Sequence, residues 1–328
     1  MHTRETSISP STKNPGSKIL VGISSCLLGE EVRFDTGHKH HSYVTQTLGK
    51  YFTFRSFCPE MAIGLGTPRE SLRLVMDEGV IRCVGNKTDD LDVTDRLREN
   101  AQQQASWHGD LCGYILKKDS PSCGMERVRV YRNNMPERVG SGIYARILMD
   151  SFPNLPVEEE GRLGDPVLRE NFIKRVFVFQ HWRQVEKQGL TMSRLTDFHA
   201  QYKYVLLSHD QQRTRNLGKR LALTDKRETP KFAQWYFTEL MAILKIRATP
   251  KNHVNVLQHL QGFLKEELDR DDKQELAEII EDYRSGLLPL IVPITLLRHH
   301  FRRYPKPFVE RSMYLSPHPS ELMLLNDL

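Results

Sequence analysis

From residue 166 to residue 303, apolar residues recur at helical spacing and no strand pattern interrupts them. Residues 18–150 have another texture. Short β-like runs at 18–23, 51–57, 72–76, 79–84, 111–117 and 127–131 alternate with polar, helix-compatible segments, notably 42–48 and 92–106. A chain with this switch is expected to fold as an α/β N-terminal domain with a mostly parallel sheet, followed by an all-α C-terminal domain. The segment from Phe152 to Leu163, rich in Pro, Gly and charge, reads as the boundary. The expected organisation is a flexible tail over 1–16, an α/β domain over 17–160 and a helical domain over 161–328. Helices are expected at 166–188, 191–208, 229–247, 250–268, 271–286 and 290–303. The tail beyond, with Pro305, Pro307, Pro317 and Pro319, should wrap irregularly over a surface.

Ligand sites of α/β sheets lie outside the carboxyl ends of strands. Three cysteines fall there. Cys26 follows the apolar run Ile19–Ile23, Cys58 follows Tyr51–Phe57, and Cys123 sits in Ser120-Pro121-Ser122-Cys123-Gly124 after the run 111–117. Turn-forming residues flank all three, so the backbone presents these thiols. Cys83, in the alternating strand Val80–Val84, and Cys112, in an apolar strand, fit an ordinary core role. Five cysteines, odd in number and without a C-x-x-C pair, do not make a secreted disulfide scaffold. No apolar run reaches membrane-span length and residues 1–17 lack the apolar stretch of a signal peptide, so a cytoplasmic protein with no membrane partner is expected.

Three thiolates suit soft metals, either zinc or an iron–sulfur cluster. Structural zinc wants a fourth ligand and usually a close cysteine pair. A 4Fe-4S cluster on three separated thiolates would leave one iron without a protein ligand, a Lewis acid toward soft atoms such as sulfur. His38, His40 and His41 are an alternative metal cluster or a solvated, phosphate-facing loop. Charge is uneven. Residues 161–328 carry 27 Lys+Arg against 20 Asp+Glu, whereas residues 1–160 carry 20 against 21. The basic excess of the second half suits a polyanionic partner or a solvated helical surface.

The blocks Ser24-Ser25-Cys26-Leu27-Leu28-Gly29 with Val32-Arg33-Phe34-Asp35, Cys58-Pro59-Glu60 with Pro68-Arg69, and Ser120-Pro121-Ser122-Cys123-Gly124 resemble the signature blocks of the TudS-type thiouracil desulfidases. The second half resembles the YbgA-type helical domain in Phe198-His199-Ala200-Gln201-Tyr202-Lys203-Tyr204, Asn252–Leu257 and Pro289–Leu297. Joined in this order, the two are similar to the RudS-type tRNA 4-thiouridine desulfidases. That resemblance implies a 4Fe-4S cluster held by Cys26, Cys58 and Cys123, with the thiocarbonyl sulfur binding the open iron and water supplying the replacing oxygen. It implies Glu60 and Ser120 as catalytic residues. A carboxylate within reach of water is a general base, and a serine can relay a proton, with Ser122 a nearby substitute. The bland alternatives are a helix N-terminal acid for Glu60 and a turn serine for Ser120. Arg33, Asp35 and Arg69 belong to the same blocks and are expected in the pocket wall or just behind it, where they could orient the base or its ribose, a structural ion pair between Asp35 and an arginine being the alternative.

The densest basic stretch, Arg213, Arg215, Lys219 and Arg220, with Tyr202 and Lys203 before it, is the expected tRNA-binding surface. Basic residues track phosphates and aromatics stack unpaired bases, although Tyr202 and Tyr204 also suit helix packing. Rival functions are desulfuration of free thiouracil or thiouridine and a nonenzymatic iron–sulfur RNA-binding or redox-sensing module. A tRNA thiolase would usually need nucleotide activation, and the chain has no G-x-x-x-x-G-K-[ST] loop.

Overall fold

The structure, a computed structural model, describes residues 18–88, 90–319 and 322. The tail expected over 1–16 lies outside the described residues. The chain divides into two compact units, one ending at Phe172 and the other beginning at Ile173.

The first unit holds two four-stranded sheets. One is parallel, in the order β2-β1-β5-β8, built from β1 (Ile19–Ser24), β2 (Phe52–Phe57), β5 (Tyr114–Leu116) and β8 (Val157–Glu159). Central β1 is apolar on both faces, with Val21 and Ile23 fully buried, as a covered parallel strand requires. The run expected at 111–117 contributes only three strand residues, but Cys112 N–H still donates to Leu20 O at 2.9 Å. The second sheet is mixed, in the order β4-β3-β6-β7. It joins the antiparallel hairpins β3 (Leu72–Asp77)/β4 (Val80–Gly85) and β6 (Val128–Arg132)/β7 (Met135–Gly140) through a parallel β3–β6 pair. Both hairpins close on two residues with positive φ, Glu78-Gly79 and Asn133-Asn134, the geometry that matches strand twist. β7 gave no sequence signal because it is a polar strand at the edge of the sheet, exposed except at Gly140. Helices α1 (Pro59–Ala62), α2 (Thr94–Gln103), α3 (Ala105–His108) and α4 (Ile143–Ser151) complete the unit.

The segment Phe152–Leu163, expected as the boundary, carries a strand. β8 lies inside that segment and pairs with β5, and the unit continues to Phe172, within α5 (Pro166–Lys187). The three glutamates that make the segment read as a solvated linker are all buried and partnered. Glu158 accepts from Arg162 Nε at 2.6 Å, Glu159 from Met125 N–H at 2.8 Å, and Glu160 from Lys118 N–H at 2.6 Å.

The second unit is all helical among the described residues. Its helices are the remainder of α5, then α6 (Met192–His209), α7 (Gln211–Leu223), α8 (Thr229–Lys245), α9 (Pro250–Gly262), α10 (Arg270–Arg284), α11 (Ile291–Arg303) and α12 (Pro307–Glu310). Trp182 stacks on Phe237 in its core, with centroids 4.6 Å apart and planes at 8°. The basic stretch 213–220, to which no helix was assigned from sequence, is helix α7; Asp210 caps it by accepting from Arg213 N–H at 2.8 Å. The proline-rich tail departs from an irregular wrap at Pro307, which opens α12. Among the described residues no helix is long and apolar enough to cross a membrane.

Candidate active site

The parallel sheet explains why three cysteines far apart in sequence meet. β2, β1 and β5 are adjacent and parallel, so their carboxyl ends share one edge. Cys26 lies in the 3₁₀ turn Ser25–Leu28 after β1, Cys58 precedes α1 after β2, and Cys123 sits in the loop after β5. All three line one cavity of about 330 Å³. Cys83 and Cys112 are buried elsewhere and do not line it.

The 120–124 loop is fixed from within and from behind. Ser120 Oγ accepts from Ser122 N–H (3.3 Å) and Cys123 N–H (3.1 Å), and Gly124 N–H donates to Ser120 O at 2.8 Å. At its start α4 donates Ile143 N–H to Pro121 O (3.0 Å) and Ala145 N–H to Ser122 O (3.1 Å). Gly142 makes that approach possible: a Cβ there would lie 2.4 Å from the Ser122 carbonyl carbon. No local motif announces Gly142, because its partner is about twenty residues away.

Glu60 is held on both oxygens. Arg69 donates Nη2 (2.7 Å) and Nε (3.0 Å) to Oε2, and Ser122 Oγ donates to Oε1 at 2.6 Å. The ion pair is largely shielded, with side-chain exposures of 14% for Glu60 and 6% for Arg69. Arg69 is itself fixed by the carbonyls of Val32 (2.8 Å) and Gly66 (2.6 Å). Ser120 and Ser122 hydroxyls are 3.0 Å apart. With both Ser120 acceptor positions taken by backbone N–H groups, its proton points to Ser122, whose own proton points to Glu60. The result is a directed chain, Ser120 to Ser122 to Glu60. Ser122, read from sequence as a substitute, is the serine that touches the carboxylate.

Burial pushes the Cys26 thiol up to about 11, against which the nearby Lys117 works. Burial also raises Cys58 and raises Cys123 furthest into the protonated range. A soft cation would displace those protons. Three soft donors spread round a cavity of this size fit a cluster that offers each thiolate its own metal. Among the described residues, no three of His, Cys, Asp and Glu are grouped as ligands of a single metal ion. The histidine alternative has no such grouping either; His40 Nε2 lies 3.0 Å from Thr45 Oγ1 and His38 Nδ1 accepts from His40 N–H at 3.2 Å.

Of the expected wall residues, Arg33 and Arg69 line the cavity. Asp35 does not line it but pairs with Arg33, which does, as the ion-pair alternative had it. Its side chain, half exposed, pairs with Arg33 at 3.4 Å and accepts from Gly37 N–H at 3.2 Å, so a tight turn holds it away. Phe34, Phe57, Lys39 and Lys117 also line the cavity and were not singled out from sequence. For Phe57 the signal was adjacency to Cys58, and for Lys117 a position at the end of a strand.

In the helical unit Tyr202 is corrected. It is buried, and its hydroxyl meets His181 Nδ1 at 3.0 Å, so its ring packs against neighbours and presents no face to a base. Lys203, Arg215, Lys219 and Arg220 are exposed. Arg213 pairs with Glu239 at 3.1 Å, and Arg220 stands 4.0 Å over the Trp235 ring.

Residues 21–160 match the family described as 2-thiouracil desulfurase, and residues 203–319 match "Protein of unknown function (DUF1722)". The uncharacterized protein YbgA of Escherichia coli (strain K12) is 30% identical over 151 residues, 46% of this chain and 89% of that protein. The uncharacterized protein YbbK of Bacillus subtilis (strain 168) is 28% identical over 152 residues, 43% of this chain and 97% of that protein. A solved structure, described as the [4Fe-4S]-dependent thiouracil desulfidase TudS, is 28% identical, covers 46% of this chain and 95% of its own, and superposes with a TM-score of 0.35. The chain belongs to the YbgA family, as a fusion in which a 2-thiouracil desulfurase-type α/β region precedes a DUF1722 helical region.

Proposed function

We propose that the chain is a desulfidase that converts 4-thiouridine in tRNA to uridine, water supplying the oxygen and the thiocarbonyl sulfur leaving as sulfide. The balance is C=S + H₂O → C=O + H₂S, without net redox change. The observation that carries the reading is the convergence of Cys26, Cys58 and Cys123 on one cavity together with the Glu60–Ser122 hydrogen bond. Cys26, Cys58 and Cys123 would hold a 4Fe-4S cluster, which supplies a Lewis-acidic iron toward the thiocarbonyl sulfur. Glu60, ion-paired with Arg69, accepts a proton from water, and the Ser120–Ser122 chain carries a proton to or from the base. Phe57, stacked on Tyr144 at 5.4 Å, gives the cavity an apolar wall for a pyrimidine ring. The basic surface of the helical unit, with Lys203, Arg215, Lys219 and Arg220, is assigned to the tRNA backbone; Arg213, already paired, is assigned a lesser part.

A second reading, desulfuration of free thiouracil, is favoured by the description of the matching family. Anaerobically reconstituted protein offered thiolated tRNA and free 4-thiouracil separates the two. The first reading expects loss of the thiocarbonyl absorbance of tRNA with stoichiometric sulfide. Turnover of the free base alone would establish the second.

A further inference from the structure

Beside the candidate active site lies a second cavity of about 270 Å³, polar where the first is largely apolar. It opens on the outer face of the mixed sheet. In β3 and β6, Leu74, Val128 and Val130 belong to the core cluster and Arg73, Arg129 and Tyr131 take the alternate positions; these three line the cavity, which Leu74 and Val128 also border. The Arg73 guanidinium stands 5.6 Å over the Tyr131 ring. Arg129 is exposed and, among the described residues, joins no ion pair. The one carboxylate of the cavity, Asp119, is neutralised by Arg138 at 2.9 Å. The two cavities adjoin at the loop Lys117–Gly124: Asp119 lines both, and Pro121, which lines the second, sits between Ser120 and Ser122 of the first.

We propose that this groove seats the sugar–phosphate strand flanking a base held in the first cavity, so that the α/β unit itself prefers a thiolated polynucleotide to a free thiolated base. The inference rests on the desulfidase reading and sharpens its substrate class. A nucleotide turned out of folded RNA brings its phosphates with it. Guanidinium groups bind phosphate oxygens through two parallel N–H donors, and a ring beneath one of them fixes its direction in advance. A free base has no group to place there. Discrimination between the two substrates therefore arises next to the reacting atom, whatever the helical unit adds.

The test uses the full-length, anaerobically reconstituted protein, its Arg129→Ala variant and the Arg73→Ala/Arg129→Ala double variant, with thiolated tRNA and free 4-thiouracil as substrates. For the double variant kcat/KM on tRNA should fall by about tenfold per arginine, while turnover of the free base stays within about twofold. Arg129→Lys, which keeps the charge, should recover most of the loss of Arg129→Ala. Independently of turnover, the slope of log binding constant against log salt for tRNA should become shallower by about 1.4–1.8 in the double variant. Equal loss on both substrates, or an unchanged salt slope, overturns the inference. If the wild-type protein releases sulfide from neither substrate, the desulfidase reading fails, and the salt slope still decides whether the groove holds RNA.

Discussion

The two units put their reactive side chains to different uses. In the α/β unit, acid, hydroxyl and thiol groups gather round a cavity, because adjacent parallel strands end at one edge. In the helical unit, histidine and tyrosine are spent on each other. His181–Tyr202, His199–Tyr236 and His253–Tyr314 are side-chain pairs at 3.0, 3.0 and 2.8 Å within the bundle. Burial depresses the histidines, His199 to about 4 and His209 to about 3. A reactive residue type at a strand's carboxyl end is offered to a ligand, whereas on the inner face of a helix it completes a hydrogen bond that packing would otherwise leave open.

The largest effect expected on this contrast is in the α/β unit. Glu60→Gln keeps the shape but removes the proton acceptor, and should lower kcat by about 10²–10⁴-fold in a sulfide-release assay. His199→Gln in the helical unit should leave kcat unchanged while lowering the unfolding midpoint. A kcat that survives Glu60→Gln would strip the carboxylate of its role.

Backbone packing gives the next contrast. Gly142→Ala drives a Cβ into the Ser122 carbonyl and should cost about 1–3 kcal/mol in denaturant unfolding, with impaired iron retention. Gly262→Ala, at the end of α9 with nothing within 4 Å of a new Cβ, should be neutral or stabilise by less than about 1 kcal/mol. Equal effects would mean that the 120–124 loop adjusts freely.

How much of this was legible in sequence follows the same division. Cys26, Cys58 and Cys123 were readable because turn residues mark strand ends locally. The α/β-to-helix switch was readable because periodicity survives in a single sequence. β8 was not, since Glu158, Glu159 and Glu160 look solvated until Arg162, four residues on, and Met125 and Lys118, from elsewhere in the fold, supply their partners. Helix α7 was masked by its polar surface, its apolar side being carried by Leu217 and Leu221. Tyr202 looked like a stacking platform because sequence does not say which side of a helix faces inward.

Acid should act on the helical unit most. A histidine with a lowered folded value binds fewer protons folded than unfolded, so its contribution is full above about pH 6.5. That contribution is lost as pH falls from 6.5 toward 4 for His199 and toward 3 for His209. The full loss is about 3 kcal/mol for His199 and about 5 kcal/mol for His209. Hydrogen exchange at pH 7 and pH 5 should show protection falling more in α6 and α8 than in β1 and β2. The reverse order would contradict the assignment. The smallest stability effect is at the surface: Arg215→Gln with Lys219→Gln should change stability by less than about 0.5 kcal/mol while flattening the salt dependence of tRNA binding.

The central claim is tested most directly by iron content after anaerobic reconstitution, measured on the wild-type protein and on Cys26→Ser, Cys58→Ser, Cys123→Ser and Cys83→Ser. Four irons per chain are expected in the wild type and in Cys83→Ser, with loss or strong depletion in each of the other three. Full iron in any of those three, or its loss in Cys83→Ser alone, would contradict the assignment of the site.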